Sequence, residues 1–311
     1  MDDLLGLGKG TDKLIAAVER ALGAVYRPYG IRRDADAEAY RLTTLEAAKT
    51  DAKSRNTLEL ARAKSEADII LAEGKQALED RLEARLQHKA LQQQLNIERI
   101  VEGALTQPQP APTTEEVDQD WLSNFFEHAQ SVSGAEMQAL WSRVLTLEVG
   151  TPGTFSSRAL EVLRKMTRRE ASSFQTACKL AGSFTPKDGR KAILHGALCH
   201  NWFNFSETPE IDLNKFGLPF LDRMNLAQIG LVYEDGLVSG DLPREHELSF
   251  YFTSTQLKLR AKRSGLQLQN YALTPIGLEL SALVSPEEDS AYIATLCTSL
   301  AKFFHVRNEN I

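Results

Sequence analysis

Residues 31–106 contain no proline and only two glycines, Gly74 and Gly103, and they carry 13 basic and 14 acidic side chains. Alanine, glutamate, lysine, arginine, glutamine and leucine dominate the stretch, and these are the strong helix formers. If fully helical it would be a rod roughly 110 Å long at 1.5 Å per residue. A charged rod gains little stability without packing, so its apolar positions must be covered. Leu71, Leu78, Leu82, Leu86, Leu91 and Leu95 recur at steps close to a coiled-coil seam, while the part from Ala35 to Ala67 offers mostly alanine. Two arrangements satisfy such a pattern: a hairpin turning at Gly74, or association with a second copy of the chain. Alanine matches the leucine-rich half poorly, which favours self-association as a homo-oligomer.

The rod ends where Pro108, Pro110 and Pro112 fall within five positions. Residues 107–117 therefore read as an extended linker. Residues 118–182 read as a small helical domain. Trp121, Leu122, Phe125, Phe126 and Ala129 fall on one helical face, and Trp141, Val144 and Leu145 on another. Ser133–Glu136 and Thr167–Glu170 have the spacing of capping boxes, in which a hydroxyl and a carboxylate satisfy each other's backbone amides. Ser156 is expected to cap the helix carrying Leu160 and Leu163.

Residues 183–311 mix signals. Lys191–Cys199 is an apolar run of ambiguous type. A helix is expected over 219–230, then two strands over 248–260 and 265–273 with a turn near Arg263–Gly265. Thr274-Pro275 opens a helix, and a last amphipathic helix follows through Leu300 and Phe303. That order resembles a winged helix. Residues 1–30 add an amphipathic segment. The expected fold is mainly α: a long helical or coiled-coil segment, a small helical domain and a C-terminal winged-helix-like α+β domain.

With 42 acidic and 36 basic residues the chain is no polycation, so nucleic-acid contact needs a local patch. Lys258, Arg260 and Lys262 alternate with Leu257, Leu259 and Ala261, and Arg263 follows at the turn. On a strand the cations share one face, which could meet phosphates, or simply water. Three cysteines over this length make no disulfide framework and suit a reducing, cytoplasmic setting. Cys178, His195, Cys199 and His200 are the one cluster of soft metal ligands, but zinc-type spacings are missing and a core reading competes. Trp202, Phe203 and Phe205 read either as a stacking surface or as core. The string Gly6-Leu-Gly-Lys-Gly-Thr11 lacks the spacing of a phosphate loop. No cofactor is expected, and no catalytic motif is present. The amphipathic N-terminal helix balances Lys13 and Arg20 against Asp12 and Glu19, so packing on protein is favoured over peripheral membrane contact.

WLSNFFEHAQSVSGAEMQALWSRVLTLEVGTPGTFSSRALEVLRKMTRREASSF, at residues 121–174, resembles the bacterial domain of unknown function 2806 family. GLGKGTDKL, YRPYGIRRDADAEAYR and LQQQLNIERIVEGAL are similar to its N-terminal part. The central helices are similar in style to the Abi-alpha proteins of abortive infection. That second resemblance implies a role in anti-phage defence, with a protein partner or phage component to recognise. Neither resemblance carries catalytic residues. The expected function is a non-enzymatic, self-assembling scaffold or sensor; the alternatives are a nucleic-acid-binding regulator and an effector enzyme whose site leaves no motif.

Overall fold

The computed structural model describes residues 9–22, 66–108, 115–185, 189–201, 204–208 and 210–311. The chain divides into two compact units, residues 1–150 and 151–311.

The first unit is helical: α1 (Lys9–Leu22), α2 (Glu66–Thr106), α3 (Gln119–Ala129) and α4 (Ala135–Gly150). Asp118 caps α3 by accepting from the Trp121 amide. Trp121, Leu122, Phe125, Phe126 and Ala129 are buried, as their spacing requires. Leu14, Ala17 and Val18 put the apolar face of α1 inside the same core. The end of α2 runs parallel to α4, and the contact is polar as well as apolar. Ser142 Oγ donates to the Ile100 carbonyl at 2.7 Å. Thr146 Oγ1 donates to the Ala104 carbonyl at 3.3 Å, and Gln138 Nε2 to Asn96 Oδ1 at 3.3 Å. These steps of four residues on both helices form a ladder in which each buried hydroxyl or amide has a partner. α2 is continuous through Gly74, so the hairpin turn considered there does not form. The alanine-rich residues 31–65 lie outside the described residues, as do 109–114 of the linker. α4 starts one residue later than its Ser133 signal suggests: the Gln138 amide donates to the Gly134 carbonyl, which makes Gly134 the cap.

The second unit holds α5 (Ser157–Lys165), α6 (Arg168–Leu180), α7 (Phe220–Gln228), α8 (Pro275–Ser281) and α9 (Ser290–Leu300), with β1 (Gly182–Ser183), β2 (Lys191–Asn201), β3 (Asn204–Glu207), β4 (Leu237–Val238), β5 (Glu247–Tyr251), β6 (Thr255–Ala261), β7 (Leu266–Ala272) and β8 (Phe304–Asn310). The eight strands form one antiparallel sheet, ordered β4-β7-β2-β1-β5-β6-β8, with β3 beside β2. This corrects the expected mainly-α, winged-helix-like fold: the C-terminal part is built on a large sheet. The expected wing is also absent. β6 pairs with β5 and β8, while β7 pairs with β2 and β4. Helices α5 and α6, assigned from sequence to a domain over 118–182, belong to the sheet-bearing unit.

The reasons are local. Ala192–Cys199 is buried throughout, so β2 shows no alternation that would mark it as a strand. β8, the last strand in the order, reads as polar sequence because most of its side chains are exposed. The caps of Ser156, Thr167 and Thr274 form as their sequences indicate. Gly182 joins the two halves of the sheet where a Cβ would lie 2.6 Å from the Tyr251 carbonyl. Tyr292 of α9 is fully buried over β2 and donates its hydroxyl to the Leu194 carbonyl at 2.5 Å.

Candidate functional site

Two places stand apart from ordinary packing. The first is the middle of α2. Leu78, Leu82 and Leu86 are 60, 50 and 56 % exposed. Steps of four residues keep them within an arc of about 80° on one face. That face runs on into Asn96, Ile100 and Ala104, where α4 covers it. Leu91 and Leu95 do not extend the stripe as the sequence suggested. The five-residue step from Leu86 to Leu91 turns the helix by about 140° more than a whole revolution, and both side chains are half-buried. Leu71 lies on α2, its side chain outside the described residues. Glu79 and Glu83 flank one side of the stripe, Arg81 and Arg85 the other, and all four are exposed.

The second place is on the sheet. β2 and β7 shift register between Leu194 and Gly196, which puts His195 at a bulge. Its ring stacks on Tyr271 at 4.3 Å between centroids. The Arg223 guanidinium of α7 lies over the other partner, 4.1 Å from the Tyr271 centroid. His195 is 6 % exposed, and neither ring nitrogen has a hydrogen bond among the described residues. Glu210 Oε1 is 3.5 Å from Nδ1, but that carboxylate is largely in water. Burial, helped by the Arg223 charge, pulls the imidazole pKa down to about 4. His195 is therefore neutral at neutral pH, its ring stacked in the core.

The sequence-derived metal candidates lie on α6 and β2. Cys178 sits on α6, and burial pushes its thiol up to about 12 against the opposing Lys191 charge. His195 and Cys199 lie on β2, and the side chain of His200 is outside the described residues. Among the described residues no group of three or more His, Cys, Asp or Glu could hold a metal ion.

The basic residues do alternate with buried Leu257, Leu259 and Ala261 on β6. Each cation has a local partner. Lys258 pairs with Glu309 at 2.6 Å, and Arg260 with Glu245 at 3.4 Å. Lys262 donates to the Ala301 carbonyl, and Arg263 covers the Phe303 ring at 4.6 Å. Trp202 and Phe203 lie outside the described residues.

Sequence reasoning missed the polar ladder and the His195 stack. Gln138, Ser142 and Thr146 at four-residue steps within an apolar helix face were the available signal for the ladder. The stack joins three elements far apart in sequence, and no local spacing announces it.

Among the described residues no helix is long and apolar enough to cross a membrane. No curated protein and no solved structure matches the chain. A family model does match, over residues 80–297, from within α2 to within α9. The chain belongs to that family, described as protein of unknown function (DUF2806).

Proposed function

We propose that this protein is a non-enzymatic scaffold that self-assembles through α2. One observation carries the reading: Leu78, Leu82 and Leu86 are at least half exposed on a face that is packed further along the same helix. Fully burying a leucine contributes about 1.5–3 kcal/mol. Three per chain support a modest, concentration-dependent association rather than an obligate one. The three free cysteines fit a reducing cytoplasm, where such an assembly would work. A role in anti-phage defence belongs to this reading on the Abi-alpha resemblance alone, and plaque counts with and without the gene test it.

Light scattering tests the assembly. The protein should exceed its monomer mass at tens of micromolar, and Leu78→Gln, Leu82→Gln and Leu86→Gln together should return it to about 34.6 kDa. A wild-type monomer at that concentration defeats the proposal.

A further inference from the structure

We infer that the occupant of the leucine stripe is the same stripe of a second copy, crossing it with both helices pointing the same way. The inference rests on the self-assembly reading and adds partner geometry to it.

The argument is the placement of charge. With Leu82 as the centre of the contact, Glu79 and Glu83 lie about 60° and 100° to one side, and Arg81 and Arg85 about 60–100° to the other. A twofold axis along two like-pointing helices places the acidic flank of each copy beside the basic flank of the other. Glu79 and Glu83 then face Arg81 and Arg85 of the second copy on both sides of the leucines. An axis that reverses one helix places acid beside acid and base beside base. Both orientations bury the same six leucines, so the flanks decide between them.

The leucine spacing sets how the helices meet. Residues four apart form a ridge, and two such ridges interdigitate at a crossing angle of about −50°. Crossing is also what the rest of the unit requires. From Asn96 onward α4 covers the same face of α2. A second α2 lying flush along the whole face would collide with α4, whereas crossing helices have diverged by that point. The contact is thus confined to the bare segment around Leu82, continuous with the α2–α4 interface.

Charge reversal on the full-length protein tests the orientation. Glu79→Arg with Glu83→Arg gives a stripe with two basic flanks; Arg81→Glu with Arg85→Glu gives two acidic flanks. Each variant alone should dissociate at a concentration about tenfold higher than wild type, since several exposed ion pairs turn into repulsions. An equimolar mixture of the two should regain wild-type affinity in sedimentation velocity. All four residues are exposed, and circular dichroism of each variant checks that α2 is intact. If either variant alone assembles as tightly as wild type, the like-pointing arrangement is wrong while self-assembly stands. Failure of the mixture to recover also overturns the orientation. A wild-type monomer overturns both readings and leaves the stripe to another occupant.

Discussion

Gly103 lies directly beneath Ser142: a Cβ placed on the glycine would stand 2.4 Å from the serine Oγ and 3.1 Å from its Cβ. The hydroxyl cannot swing aside without loss, because it lies 2.7 Å from the Ile100 carbonyl and 2.8 Å from the Gln138 carbonyl, and its one proton is donated to one of them or shared between the two. Gly103→Ala should therefore lower the melting temperature, although alanine is worth about 1 kcal/mol more than glycine in a helix. Overpacking of this kind costs about 1–3 kcal/mol. Combining it with Ser142→Ala should recover part of the loss, so the pair should be non-additive in a thermal-melt cycle. Additive losses would mean that the two helices separate freely here.

Thr167 and Glu170 form a reciprocal cap at the start of α6. Thr167→Ala should cost about 0.5–2 kcal/mol in a urea titration. Ser133→Ala should cost much less, because Gly134 occupies the cap position of α4. Equal losses at the two sites would contradict that assignment of the helix start.

The same two caps show what was legible in the sequence. Thr167 and Glu170 act within four residues, so the sequence alone locates the helix start. At Ser133 the equivalent pattern misses by one residue, because glycine in the next position also serves as a cap. The sheet was harder to read for a different reason. β2 is covered on both faces and has no period of two, while β7 finds its partner some seventy residues upstream rather than in the adjacent β6. Alternation in β6 was visible, since one of its faces is exposed, but alternation does not say which strands pair. The leucine stripe was visible as spacing. Only the placement of α4 divides it into a covered part and a bare part.

Gly277 on α8 is held against backbone. A Cβ there would lie 2.1 Å from the Leu231 carbonyl oxygen, which already accepts from the Thr274 amide at 3.0 Å. No side chain can yield to relieve that contact. Gly277→Ala should destabilise the second unit by about 3 kcal/mol, the range of severe steric lesions. Near-wild-type melting would show that α8 can shift away from Leu231 cheaply.

His195 makes stability depend on pH. Its pKa falls from 6.5 in the unfolded chain to about 4 in the fold, chiefly through burial and secondarily through Arg223. Between those values the unfolded chain binds the proton and the folded chain does not. Stability is therefore greatest above pH 6.5 and declines as the pH falls towards 4. At 1.36 kcal/mol per unit the site contributes up to about 3 kcal/mol of that decline. Glu210 would attract an imidazolium, but it is two-thirds exposed and screened by water. Tyr271 stays protonated, because burial raises its pKa. His195→Phe keeps a ring for stacking on Tyr271 and removes the titrating group. Urea midpoints taken from pH 7 to pH 4.5 should fall more steeply for wild type than for the variant. Carboxylates contribute equally to both proteins, so the difference isolates the imidazole. Parallel curves would mean that His195 finds a partner for its proton, and that the buried stack does not hold it neutral.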